Sequence, residues 1–363
     1  MFKSMKLWQT LTLMGMVFCL PLVVLLVLVT RGGADEVPSG LQKEAMNIPQ
    51  DNPLTPEKVA LGKQLFWDKR WSKGQTVACA TCHMPENGWS DSGRFSNRYD
   101  GKPTSRHSPT IINRVFSELQ QWTGARKSLE DQAYKASDSS PETIVQNLAS
   151  IKGYDEQFRK VFGSGVTAEG VAKAISAYER MILSGDSPYD RFQAGDNTAW
   201  SQAAQRGLAL FQGKARCARC HGGFNFTDEG YHNIGVGMDK ENPDLGRHTV
   251  SKIEVNKGAF KTPTLRDVAL RTPYMHDGSL RTLQEVIDFY NRGGIPNPWL
   301  SKDIVALNLS LEEQADLVAF LKSLTGKVSP DIASPPLLPD DSRIAPAANA
   351  PDVNPPETAK LTR

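Results

Sequence analysis

The sequence predicts a mainly α-helical protein of two helical domains behind an N-terminal membrane-spanning segment. Three observations carry this: a long uncharged apolar run at the N-terminus, helix-period apolar spacing with capping signals through the middle, and a cysteine-pair motif that occurs once in each half.

The chain has 363 residues, 39% hydrophobic, with a formal net charge of +2. That is too long for one typical domain and too apolar and balanced for a disordered chain, so two domains are expected. Lys and Arg are scattered along the chain, which excludes the basic patch that nucleic-acid binding needs.

Lys3 and Lys6 precede an apolar run over residues 7–30, with no charge before Arg31. About 20 apolar residues span a bilayer as a helix, whereas the apolar part of a cleaved signal is about 7 to 15. An uncleaved anchor with its linker is therefore expected over residues 1–38, a cleaved signal peptide being the alternative. The two lysines before the run, with Asp35 and Glu36 after it, put the N-terminus in the cytoplasm and the rest outside. This predicts a periplasmic protein held at the inner membrane. Cys19 follows Phe18 inside the run and reads as a small membrane-buried residue.

From Gly40 to about Gly326 the pattern is globular and helical. Thr55-Pro56 is a helix start with Val59, Leu61, Leu65 and Phe66 as its apolar side. Val171, Ile175, Tyr178 and Ile182 recur at helical spacing, and Leu208 to Phe211 run up to a stop at Gly213. Thr282 with Glu285, and Ser310 with Glu313, are capping boxes for helices ending near Gly293 and Gly326. No sustained alternation argues for a large sheet. The Ser184-Gly185-Asp186 stretch suggests domains of residues 39–185 and 186–327, and the proline-rich residues 328–363 read as a disordered tail.

The chemistry is concentrated in Cys79-Ala-Thr-Cys82-His83 and Cys217-Ala-Arg-Cys220-His221. Both are haem c attachment motifs. Cysteines three apart lie on one side of a helical turn, where each forms a thioether to a haem vinyl group. The adjacent histidine then offers its imidazole to the iron. A zinc site, a redox Cys-x-x-Cys pair or a disulfide are the competing readings, and two copies both ending in His in an exported chain argue against all three. Two covalently bound haem c groups are thus expected, one per domain. For the sixth position on each iron, spacing does not choose among His107, His232, His248, His276, Met238, Met275 and several tyrosines.

From Asn52 to Thr325 the chain resembles the bacterial dihaem cytochrome c peroxidase and MauG superfamily. The shared segments are Leu61-Gly-Lys-Gln-Leu-Phe66, Ser108-Pro-Thr110, Trp122-Thr-Gly124, His232-Asn-Ile-Gly235, Phe260-Lys-Thr-Pro-Thr-Leu-Arg266, Pro273-Tyr-Met-His-Asp-Gly278 and the two haem motifs. The resemblance implies two cytochrome c-like helical domains, with the first haem as peroxide site and the second as electron-transfer or charge-storing haem. Where such peroxidases carry a distal histidine that blocks the first haem, this chain has Tyr99. That implies a five-coordinate first haem that needs no reductive activation, with a ligating His107 as the alternative. His107 itself matches an asparagine that helps hold an interdomain calcium, so the chain departs from the calcium pattern.

At the second haem the classical peroxidases place a methionine ligand fourteen residues after the equivalent of His276, and here stands Tyr290, the MauG-like pattern. A tyrosine packed in the core is the competing reading. As a ligand, a phenolate favours ferric and higher states, whereas Met raises the potential. The resemblance assigns Gln132 and Glu142 to the open side of the first haem, where a carboxylate can move the protons that peroxide cleavage requires. Glu142 also suits the first turn of a surface helix. Trp122 is implied between the haems as an electron stepping stone, or else is a core aromatic. The implied partners are hydrogen peroxide and either an electron-donor redox protein or an oxidisable protein side chain. A dihaem electron-transfer cytochrome without peroxide chemistry is the second reading. MauG-type protein modification uses a surface tryptophan close before the second motif, but residues 212–216 contain none and Trp200 lies farther away.

Overall fold

The structure, a computed structural model, describes residues 37–136 and 138–339. Apart from its last two linker residues, the expected anchor lies outside the described residues. Among the described residues no helix is long and apolar enough to cross a membrane.

The first half is built from α1 (Pro56–Trp67), α2 (Cys79–Cys82), α3 (Leu129–Ala136), α4 (Pro141–Ala149), α5 (Lys152–Phe162) and α6 (Ala168–Glu179). The second contains α7 (Pro188–Gln193), α8 (Gln202–Gln212), α9 (His248–Ser251), α10 (Leu283–Asn291) and α11 (Leu311–Lys322), and α12 (Pro330–Ala333) follows. A two-residue strand pair, β1 (Tyr231–His232) antiparallel to β2 (Phe260–Lys261), is the one sheet among the described residues. The helix signals are realised locally. Thr55 accepts from the Lys58 N–H with Pro56 at the first helical position, and both expected capping boxes close. α11 stops at Lys322 rather than near Gly326, because Ser323 turns its N–H back onto the final carbonyls.

Each half has its own core. One gathers buried side chains from Leu61 to Ile182 around α1, α5 and α6, and the other gathers those from Trp200 to Leu324 around α8 and α11. In both, a glycine lets two helices touch backbone to backbone. A Cβ on Gly62 would fall 1.8 Å from the Ala174 carbonyl oxygen, and one on Gly207 would fall 2.0 Å from that of Asp316. The crossings are therefore equivalent, and they pair α1 with α8 and α6 with α11. Each core buries over a dozen apolar side chains, and such burial is the dominant favourable term in folding.

Residues 328–339, expected to begin the tail, instead pack on the first half. Val328, Ile332 and Ala333 lie against its core, and the Ile332 carbonyl accepts from the Tyr178 hydroxyl at 2.7 Å. Few apolar residues in a proline-rich stretch suffice when they meet a ready-made groove. The rest of the expected tail, residues 340–363, lies outside the described residues.

Candidate functional site

Both attachment motifs close tight helical turns. The His83 N–H bonds to the Cys79 carbonyl at 3.0 Å and the His221 N–H to the Cys217 carbonyl at 2.9 Å, so each histidine follows directly on its two cysteines. Each imidazole is fixed by a second backbone contact. His83 Nδ1 lies 3.2 Å from the Trp89 carbonyl and His221 Nδ1 lies 3.0 Å from the Phe226 carbonyl. A carbonyl only accepts, so Nδ1 carries the proton and Nε2 keeps its lone pair for a metal. Burial pushes both imidazoles down to about 4, against the smaller opposing pull of those carbonyls, so both are neutral at pH 7.

The cysteines form no disulfide. Burial raises the Cys79 thiol strongly and the Cys217 thiol to about 12. Neither is the low-pKa thiolate of a redox Cys-x-x-Cys. The one cluster among the described residues with metal-ligand spacing is Cys220, Asp228 and His232. Once the Cys220 sulfur is a thioether, what remains is the Asp228–His232 pair at 2.7 Å.

The residues around the second motif fit a haem. An apolar cavity with about 1550 Å³ free of protein atoms, its mouth included, is lined by Cys217, Cys220 and His221 and by Val286, Ile287 and Tyr290 of α10. The Tyr290 hydroxyl faces this space without a hydrogen bond among the described residues, and burial raises its pKa. Two cations, Arg216 and Arg271, line the same cavity with a buried Nε that has no partner. An orphaned buried donor is costly, and the anionic edge of a bound haem would satisfy it.

Trp122 reaches the same cavity from the first half. Its indole N–H donates to the His107 carbonyl at 2.8 Å, and its own carbonyl accepts from the Lys261 N–H of β2 at 2.8 Å. Arg247 Nη1 donates to the carbonyls of Thr123 and Gly124 at 2.7 and 3.0 Å, clamping the turn. The two halves are further joined by Arg106 and Asp244, at 2.7 and 2.9 Å.

His107 is buried with both ring nitrogens engaged, Nδ1 at 3.1 Å from the Gly93 carbonyl and Nε2 at 3.0 Å from Ser90 Oγ. These contacts hold the loop between Ser90 and Ser108. Tyr99 lies under the Lys73 ammonium at 4.9 Å. His276 is buried and stacked on Phe260, with ring centroids 3.6 Å apart.

Gln132, on α3, has a buried Oε1 without a partner. Glu142 stands exposed in the first turn of α4, where its own backbone N–H and the Ser140 side chain lower its pKa. No interaction described joins Glu142 to Gln132 or to His83. Sequence reasoning missed Arg271, whose Arg-Thr-Pro setting gave no sign that a buried guanidinium sits near both His107 and His221.

Residues 56–198 match the di-haem cytochrome c peroxidase family, and residues 204–325 match cytochrome c. The methylamine utilization protein MauG of Methylorubrum extorquens is 42% identical over 306 residues, covering 82% of this chain and 85% of that one. The chain belongs to the di-haem cytochrome c peroxidase family. The cytochrome-c peroxidase IdrP1 of a Pseudomonas species is 36% identical over 81% of this chain and 86% of its own length. Among solved structures, a MauG-like protein associated with microbial copper homeostasis superposes with a TM-score of 0.77 at 31% identity, covering 83% of this chain and 98% of that one. The diheme peroxidase BthA of Burkholderia thailandensis shares the fold, with a TM-score of 0.66 at 20% identity. This member of the family is a MauG-like dihaem oxidoreductase with two covalently bound haem c groups, acting with peroxide and a redox-protein or protein substrate.

Proposed function

We propose that hydrogen peroxide reacts at the haem held by Cys79, Cys82 and His83, and that electrons are drawn through the haem held by Cys217, Cys220 and His221. The observation that carries this division is an asymmetry between the residues available to each motif. Tyr290 faces the second cavity with an unpartnered hydroxyl, while the histidine nearest in sequence to the first distal loop, His107, spends both ring nitrogens on the protein.

The haem supplies the two-electron chemistry with peroxide. The protein fixes the tautomer of both proximal histidines through the carbonyls of Trp89 and Phe226. Glu142, ionised at neutral pH, is the group we assign to take the proton from incoming peroxide and return it to the leaving oxygen, with Gln132 orienting the peroxide. The Glu142 carboxylate is solvent-exposed, so this role requires peroxide to meet it at the protein surface. Trp122 carries charge between the halves, supported by its position at the cavity wall with its indole pinned to His107.

The domain limits stay at 39–185 and 186–327, in keeping with two separate cores, and the soluble part is held in the periplasm by residues 1–38. The reductant is a small redox protein or an oxidisable side chain of a partner protein. Methylamine utilisation and copper homeostasis in the names of relatives are contexts in which such a partner would be sought. Stopped-flow mixing of the ferric protein with peroxide tests the assignment. Rapid spectral change at one haem followed by the other is expected, and an unchanged spectrum would leave only an electron carrier.

A further inference from the structure

The two cores contain the same three-ring arrangement, and its composition differs between them. In the first half Phe66, Tyr178 and Trp89 lie with ring centroids 5.1 Å (Phe66–Tyr178), 6.0 Å (Phe66–Trp89) and 6.4 Å (Trp89–Tyr178) apart. In the second half Phe211, Phe320 and Phe226 repeat the triangle at 4.9, 6.2 and 6.1 Å. The correspondence is fixed independently. Tyr178 and Phe320 are the residues that a Cβ on Gly62 and Gly207 would meet, and Trp89 and Phe226 supply the carbonyls that hold the proximal histidines. One helical position beyond Phe66 stands Trp67, half-buried, its ring centroid 6.3 Å from that of Phe66 and its buried indole N–H near Tyr178 but without a hydrogen-bond partner among the described residues, and the matching residue beyond Phe211 is Gln212.

The two triangles share their spacing but not their ring chemistry. What distinguishes them is redox chemistry: indole and phenol rings lose an electron far more readily than phenyl. Tyr189 and Trp200 do lie near the second triangle, but they meet it through the inert rings of Phe226 and Phe320.

We infer that Trp89, Tyr178 and Trp67 form a relay that drains oxidising equivalents from the first haem to the surface when no external reductant is bound. This rests on the reading of the first haem as the peroxide site. Each passage moves one electron inward from Trp67. Tyr178 is a transient stop, because its phenolic proton faces only the Ile332 carbonyl, a weak base. Two electrons leave the Trp67 indole and two enter one peroxide, which takes up two protons and becomes water. A solvent water adds its oxygen to the oxidised indole and releases two protons. The sum is one tryptophan and one peroxide giving one hydroxytryptophan and one water.

The test is peptide mass spectrometry of the ferric dihaem protein after peroxide treatment without donor, in heavy-oxygen water under anaerobic conditions. Trp67 should gain oxygen from water, while Trp299, also half-buried but in the second half, should stay unmodified. Tyr178→Phe should lower the Trp67 modification several-fold, and Trp67→Phe should consume peroxide at the parent initial rate yet lose its haem absorbance sooner. Peroxide consumption with Trp67 intact, or with Trp67 and Trp299 modified alike by peroxide oxygen, overturns the relay alone. No peroxide consumption at all overturns both the relay and the peroxidase reading beneath it.

Discussion

The Trp122 carbonyl accepts a 2.8 Å hydrogen bond from the Lys261 N–H, so the first half's tryptophan turn is tied to a strand of the second. With the indole N–H on His107 and Arg247 on the next two carbonyls, the ring has one position between the halves. Trp122→Phe should remove one hydrogen bond, about 0.5–1.5 kcal/mol of stability. It should also slow the response of the second haem to peroxide while leaving the first unchanged. A second-haem response at the parent rate would make Trp122 a packing residue.

Glu142→Gln should slow the reaction with peroxide by about 10² to 10⁴-fold, the usual contribution of a general acid or base. Because the carboxylate is exposed, the thermal midpoint should barely move. The pKa is lowered from 4.5, so the base is present throughout the neutral range and is lost only as pH falls below the ordinary carboxylate value. The parent rate should therefore stay flat down to that range and then drop, and the variant should lack the drop. Identical profiles would move the proton-handling role to another group.

The equivalent helix crossings predict equivalent sensitivity. Gly62→Ala and Gly207→Ala would each drive a Cβ into a carbonyl oxygen, at 1.8 and 2.0 Å. Overpacking of this kind costs about 1–3 kcal/mol, against a helix-propensity gain of about 1. Denaturant midpoints should fall with unchanged slope, and a stabilised variant would contradict the backbone contact.

The haem motifs, the capping boxes and the helical core were legible because each is written in adjacent residues whose local geometry does not depend on the rest of the chain. Thr282 with Glu285 closes a box wherever it folds. The surroundings of each haem were legible only through resemblance. Tyr290 faces a wall completed by His221 about seventy positions earlier, a meeting that no local pattern encodes. The packing of residues 328–339 on the first half was misread for the same reason: three apolar side chains among prolines carry no periodicity, and their groove is made by residues far away. Glu142 shows the converse, since the surface-helix first turn that its sequence also suits is local and is what the fold displays.

The central claim is that the two haems differ in their open side, and electron paramagnetic resonance of the ferric protein tests it most directly. The account predicts two signals, a high-spin one from the His83 haem and a low-spin one from the His221 haem, with Tyr290→Phe changing only the low-spin signal. Two low-spin signals that persist in Tyr290→Phe would contradict it.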